Sequence, residues 1–279
     1  MIREVIWTYN SIFYSVITYF SLFDNTALYL SYTRINHLVG LLCGFQVFLY
    51  GDDFNPNEKS VILCNHKAVF DILSIFYVSG HFNRVIGFCL KKQVSQIPGC
   101  GWWCTRMKFP TLNRDSSDLK TLEQDTTTFP IIIYPEGTRY SNTKYSESRD
   151  FAKKNDYPIS KYAQLPKYKG AFALTKNVVY QMTLVYLDKH QRIITGEINE
   201  FPSWVYIHVK KHIDVPKDEA EYKVWLQEEF AKIDDIYDNF QPNNAIEMLP
   251  KYQTFDYFMY AGYALVQLAL LYQLLILIV

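Results

Sequence analysis

Ser60-Val-Ile-Leu-Cys64 is a short apolar run, and Asn65-His-Lys-Ala-Val-Phe-Asp71 follows it without a break. A run of that length, ended by polar residues, reads as a buried strand that hands over to a loop and then a helix. The same alternation recurs outward from it. Val85 to Cys89 is a second apolar run, and Ile131-Ile-Ile-Tyr134 is a third, entered through Pro130 and left through Pro135. Val178 to Leu187 and Val205 to Val209 read as further strands. Ala68 to Ser79 and Ser117 to Asp125 are short helix candidates. After Pro216 and Asp218, Tyr222, Leu226, Phe230, Ile233, Tyr237 and Phe240 recur three or four apart, the spacing of one helix face. Strands alternating with helices predict an α/β domain: a mixed β-sheet flanked by helices.

Composition narrows the function classes. Twenty-eight Lys and Arg balance 28 Asp and Glu, which lacks the basic excess of a nucleic-acid-binding protein. Hydrophobic residues at 49% against charged residues at 20% exclude a mainly disordered chain. Aromatics reach 17%, with 23 Tyr and 19 Phe, a composition suited to an interface between oil and water. The five cysteines, Cys43, Cys64, Cys89, Cys100 and Cys104, show no regular frame, which argues against a disulfide scaffold. Cys100 and Cys104 have no second Cys/His pair nearby, so they are expected to be buried thiols rather than zinc ligands.

The charges are unevenly placed. Tyr257 to Val279 carries none, and that run is long enough to cross a hydrocarbon core of about 30 Å. Residues 255–279 are therefore expected to form a C-terminal transmembrane helix. Val5 to Phe23 and Ile35 to Tyr50 are two further uncharged stretches, separated by Asp24, Asn25 and Arg34. They predict an N-terminal pair of membrane-associated helices within residues 1–50, amphipathic or re-entrant as readily as crossing. Residues 51–254 are left as a globular domain.

Two constellations carry chemistry. His66 and Asp71 are five positions apart, and five steps of one continuous helix turn about 140° past a full turn. They meet only if His66 lies in the loop after the strand and Asp71 in the first helical turn. The carboxylate would then orient the imidazole, leaving its other nitrogen as a general base. The plainer reading is a helix-start Asp and a loop His. The second constellation is Tyr134-Pro-Glu-Gly-Thr-Arg139, directly after an apolar strand. Gly137 permits a positive φ or close approach of a ligand. Arg139 offers a planar fork of donors suited to phosphate oxygens. Glu136 is an acceptor that could orient Arg139 or a substrate hydroxyl. In isolation that stretch also fits a surface turn with a solvated Glu-Arg pair.

Taken together, the two motifs resemble those of the 1-acyl-glycerol-3-phosphate acyltransferase family of membrane glycerolipid acyltransferases. That family is marked by a His with an Asp five positions on, then a Glu-Gly-Thr-Arg turn some seventy residues later. The segment KQVSQIPGCG, from Lys92 to Gly101, is similar to an intermediate family signature, and KFPTLNRD places Arg114 where the family's second block has its Arg. LPKYKGAF puts Pro166 at the fourth block, and the tail from Trp204 to Phe240 looks like the branch that includes lysocardiolipin-type enzymes. The resemblance runs from about Ser60 to Phe240. Gln181 departs from it, standing where that branch often has Asp.

The resemblance implies transfer of a fatty acyl group from acyl-CoA to the free hydroxyl of a lysophospholipid. His66 and Asp71 would be catalytic. Glu136, Gly137, Thr138, Arg139, Arg114 and Lys92 would bind substrate, the cations taking the acceptor phosphate. Backbone N–H groups near Gly137 or the helix start are candidates for the oxyanion. Acyl-CoA would be a co-substrate, with no cofactor and no metal. Lysophosphatidic acid is the first-choice acceptor, with lysophosphatidylinositol and lysocardiolipin open. The implied partner is the lipid bilayer, in the endoplasmic reticulum, with the site facing the cytosol. Two other readings remain: a thiol mechanism through Cys64, two positions before His66, and a lipid-binding scaffold without turnover.

Overall fold

The computed structural model describes residues 25–95, 105–113, 117–175 and 178–250. Its centre is the opening run. Ser60–Cys64 forms strand β2 with all five residues buried, as a strand covered on both faces requires. Parallel β6 (Ile131–Ile133) lies on one side and parallel β7 (Val178–Leu187) on the other, so that Ile62 stands between Ile132 and Tyr180. Strand β3 (Gly87–Phe88) extends the parallel half beyond β6. On the other edge β8 (Trp204–His212) runs antiparallel to β7, β1 (Gln46–Gly51) parallel to β8, and β9 (Ile246–Glu247) antiparallel to β1. The order is β3-β6-β2-β7-β8-β1-β9, with β4 (Leu90–Lys91) and β5 (Thr111–Leu112) as a separate parallel pair.

Alternation along β2 and β7 divides the core into two layers. Ile62, Tyr180, Met182 and Leu184 face helices α1 (Asn25–Leu42) and α2 (Asp71–Phe82). Val61, Leu63, Val179 and Val185 face the opposite layer. That layer holds α4 (Ser117–Glu123), α6 (Tyr168–Leu174), α7 (Glu219–Ala231) and α8 (Ile233–Asp238). The apolar series after Pro216 thus builds two helices rather than one, broken at Lys232. Asp218 caps α7, its carboxylate accepting from the Ala220 and Glu221 N–H groups. Two elements had no apolar signature. The four-residue α3 (Lys92–Ser95) buries nothing, and α5 (Asn142–Lys154) buries only Ala152 and is started by Ser141, which accepts from the Lys144 N–H.

The N-terminal expectation is corrected. Ile35 to Tyr50 is not a second membrane helix but the end of α1 followed by a strand of the main sheet. Gly44 sits at φ +76° and turns the chain out of the helix. Val47 and Leu49 then point into the core while Phe48 stacks on Tyr206. The main sheet therefore takes in residues before 51. Helix α1 buries Ser31, Thr33, Arg34, Asn36 and His37, with Arg34 donating to Asn83 Oδ1 at the end of α2. Tyr77 OH of α2 reaches the His37 and Phe45 carbonyls, and Gly40 leaves room for it, since a Cβ there would lie 2.1 Å from that hydroxyl. Among the described residues no helix is long and apolar enough to cross a membrane. The uncharged stretches Val5 to Phe23 and Tyr257 to Val279 lie outside the described residues.

Candidate active site

His66 leaves the end of β2, and Asp71 is the first residue of α2. The chain between them folds back so that Ala68 N–H donates to both oxygens of Asp71, at 3.1 and 3.2 Å. His66 Nδ1 lies 2.7 Å from Asp71 Oδ2. Tyr186, at the matching end of β7, donates its hydroxyl to Asp71 Oδ1 at 2.6 Å. Asp71 is completely buried, and each of its partners is a donor. A carboxylate at a helix N-terminus is also favoured by the backbone dipoles of the first turn. With the Nδ1 proton directed at Asp71, the Nε2 lone pair of His66 has no partner among the described residues, and 20% of the His66 side chain is exposed. The ring stacks on Tyr134 at 4.2 Å and 21°. Orientation, tautomer and an open nitrogen are the features a general base needs.

The loop after β6 is tied to the main chain of His66 at two points. Glu136 Oε1 accepts from His66 N–H at 2.8 Å, and Tyr140 N–H donates to the His66 carbonyl at 2.7 Å. Glu136 Oε2 accepts from both the backbone N–H and the side-chain amide of Gln164, each at 3.1 Å. The same amide reaches the Thr138 carbonyl. Of the two roles expected for Glu136, orienting Arg139 is not the one seen. Its carboxylate is buried and holds three donors; it forms no ion pair with Arg139. Burial raises its pKa from 4.5 to about 7, against the opposing pull of these hydrogen bonds and of His66 and Lys67.

Gly137 adopts φ +73°, and its N–H closes the turn on the Tyr134 carbonyl at 2.9 Å. That N–H and the Ala68 N–H already have acceptors, so neither is spare for an oxyanion. Arg139 is exposed and makes no hydrogen bond or ion pair among the described residues. A second exposed cation, Lys167, lies against the turn: its Nζ would be 3.3 Å from a Cβ placed on Gly137, and its N–H donates to the Pro135 carbonyl. Lys92 is also exposed, at the start of α3 beyond β3 and β4, and no hydrogen bond joins it to His66 or Arg139. Arg114 lies outside the described residues. The structure thus gathers His66, Asp71, Glu136, Gly137, Thr138 and Arg139 at the ends of β2 and β6, and leaves Lys92 apart.

Sequence reasoning missed Tyr186, Gln164, Tyr134 as a ring support, Lys67 and Lys167. Cys64 is wholly buried, its thiol directed at the Asn65 carbonyl, and burial pushes its pKa well above the ordinary thiol range. A thiolate nucleophile there does not fit. Gln181 faces the layer opposite α1 and α2, where its amide donates to the Glu229 carbonyl; it takes no part in the site.

The acyltransferase family profile matches residues 46–186, just over half of the chain. The chain belongs to the acyltransferase family. Among its relatives, lysocardiolipin acyltransferase 1 of Mus musculus is 26% identical over 214 residues, 67% of this chain and 56% of that protein. The 1-acyl-sn-glycerol-3-phosphate acyltransferase 2 of Arabidopsis thaliana is 26% identical over 219 residues, 69% of this chain and 55% of that one. The chain therefore spans little more than half the length of these relatives. The crystal structure of the 1-acyl-sn-glycerophosphate (LPA) acyltransferase PlsC from Thermotoga maritima superposes with a TM-score of 0.57 at 15% identity, covering 84% of this acyltransferase and 92% of that chain. At that identity the likeness is one of fold.

Proposed function

We propose that this acyltransferase moves a fatty acyl group from acyl-CoA to the free hydroxyl of a lysophospholipid at His66. The observation that carries the reading is the open Nε2 of a histidine braced by a buried carboxylate, in a loop bonded through its main chain to the loop bearing the unpaired Arg139. Nε2 takes the proton of the acceptor hydroxyl as that oxygen attacks the thioester carbonyl. The tetrahedral adduct collapses, the C–S bond breaks, and the imidazolium returns the proton to the departing CoA thiolate. Asp71 holds the ring and balances its charge in between. Arg139, with Lys167 beside the same turn, takes the acceptor phosphate, and Arg114 and Lys92 are further candidates for it. No acyl-enzyme, metal or cofactor enters the scheme. Lysophosphatidic acid is the first-choice acceptor, because the family motif is best known for it; relatives named as 1-acyl-sn-glycerol-3-phosphate and as lysocardiolipin acyltransferases support testing lysocardiolipin beside it, and lysophosphatidylinositol completes the panel. Both substrates carry acyl chains, which places the site at a bilayer surface; the endoplasmic reticulum, cytosolic side, is the expected address.

The test supplies radiolabelled acyl-CoA and that panel of lysophospholipids to purified protein in detergent. Labelled diacyl product from the wild type, and none from His66→Ala, is expected. Binding of lipid without labelled product would turn the reading into a scaffold.

A further inference from the structure

Tyr186 is a phenol set in an oily layer. Along β7, Tyr180, Met182, Leu184 and Tyr186 face α1 and α2, and Tyr186 is fully buried. A phenylalanine would fill the same space, so the hydroxyl is tolerated there only because it is bonded. Strand pairing explains how it reaches the site. Cys64, the last residue of β2, pairs with Met182, and β7 continues beyond that point to Leu187. The side chain of Asn65 extends the pairing past the strand end: its Oδ1 accepts from the Leu184 N–H at 2.8 Å, and its Nδ2 donates to the Leu184 carbonyl at 3.2 Å. Strand β7 is thereby held alongside the His66 loop. Tyr186, two residues on and facing the same layer, meets the first turn of α2.

The proton of that hydroxyl has one destination. The oxygen lies 2.6 Å from Asp71 Oδ1 and 3.4 Å from Ser74 Oγ. Ser74 gives its own proton to the Phe70 carbonyl at 3.0 Å, and an ionised carboxylate only accepts. His66 Nδ1 lies on the other oxygen, Oδ2, at 2.7 Å. Hydroxyl, carboxylate and imidazole thus form one line, with the open Nε2 at its far end.

We propose that Tyr186 is a positioning residue for acyl transfer: by holding Asp71 Oδ1 it turns Oδ2 towards His66, and by drawing on the carboxylate's charge it lowers the basicity that reaches Nε2. This deepens the acyl-transfer reading and rests on it. A donor to the charged form of an acid disperses its charge. Without the hydroxyl, that charge falls on His66 and the Ala68 N–H alone. The imidazolium is then favoured, and the base is freed only at higher pH. The titratable groups around Asp71, besides Tyr186 and His66, are Cys64 on β2, Lys67, Tyr134 after β6 and Tyr237 on α8. Burial pushes Cys64, Tyr134 and Tyr237 well above their ordinary ranges, so they stay neutral. Lys67, brought down to about 8 by burial, stays largely charged below pH 7. Glu136, on the His66 main chain, does titrate near 7, so a second readout confined to the His66–Asp71 bond is needed.

The experiment compares wild type, Tyr186→Phe and Tyr180→Phe. The pH profile of kcat/KM for acyl transfer is one readout. The other is the proton resonance of the His66 Nδ1–H, identified by its loss in His66→Ala. In Tyr186→Phe the acid limb should move up by about one pH unit, and the resonance should move downfield as Asp71 becomes the better acceptor. Tyr180 is the control: it lies on the same strand facing the same layer, with its hydroxyl on Glu58. Its loss should leave both readouts in place. A folded Tyr186→Phe protein in which either readout stays put overturns the proposal, and so does an equal shift in Tyr180→Phe. Should Tyr186→Phe fail to fold, Tyr186→Met supplies the variant without a donor. A wild type without acyl transfer brings down the functional reading and the kinetic role with it. A shifted resonance would then still assign control of the His66–Asp71 bond to Tyr186, so the two failures are told apart.

Discussion

Among the described residues, two histidine–acid clusters stand at opposite ends of the β7–β8 pair. At one end His66 meets Asp71, with Tyr186, Lys67 and Glu136 around them. At the other, His212 Nε2 lies 3.3 Å from Gln181 Oε1, its ring edges against Trp225, and Glu229 accepts from Lys210 and Lys232. The inventories are nearly the same; the difference is what is left over. Around His212 the ion pairs are closed on themselves. Each of the two rings keeps one nitrogen without a hydrogen-bond partner among the described residues, but around His66 the guanidinium of Arg139 is also unpaired there, whereas the lysines beside His212 are held by Glu229. A functional site is thus marked by unfinished bonding on a finished scaffold, more than by the presence of titratable groups.

The largest expected effect breaks the comparison outright. His66→Ala should lower acyl-transfer kcat by at least about 100-fold, while His212→Ala should leave it unchanged; equal losses in the two variants would erase the distinction. Next, Arg139→Ala should raise the KM for a phosphate-bearing acceptor by about tenfold with kcat nearly kept, whereas Lys232→Ala should move neither parameter. Tyr186→Phe withdraws one of the donors to a buried carboxylate and should cost about 1–2 kcal/mol in denaturant unfolding. Glu229→Ala removes pairs whose lysines are substantially exposed, so its cost should stay near 1 kcal/mol.

The finest test uses pH. Glu136 has its pKa raised by burial from 4.5 to about 7 in the folded protein. The folded state then binds the extra proton, so stability from this group is full below about pH 4.5 and is lost as pH rises through 7. His212 is lowered by burial from 6.5 to about 4. Its contribution has the opposite sign: full above pH 6.5 and lost as pH falls through 4. Between about pH 4.5 and 6.5 the clusters pull in opposite directions. Melting curves across that range should therefore rise more steeply with pH in Glu136→Gln than in wild type, and less steeply in His212→Gln. Parallel curves for all three would remove the electrostatic contrast.

Legibility in the sequence followed burial. Strands β2 and β7 run over the same residues that the apolar runs predict, because both faces are covered and all but Ser60, Gln181 and Thr183 are apolar. The α/β class follows from them. Helix α5 was invisible because it lies on the surface with almost nothing buried, and only its Ser141 cap hints at it. Ile35 to Tyr50 misled because hydropathy does not distinguish lipid from a protein core; what separated them was Gly44 and the alternation of Val47 and Leu49. In the site, the spacing of His66 and Asp71 could be read along one loop. Tyr186 could not, since it arrives from 115 positions away through the β2–β7 register. The partners of Glu136 were not legible, because a carboxylate three positions before an arginine need not face it in space.

The two bonds that join the His66 loop to its neighbour use the amide and the carbonyl of residue 66, not its imidazole. Truncating that side chain at Cβ therefore leaves both in place. On the acyl-transfer reading, the alanine variant should lose the base while its two loops stay joined, and so retain a lysophospholipid and an unreacted thioester side by side. That makes it the form in which to capture both substrates in one crystal.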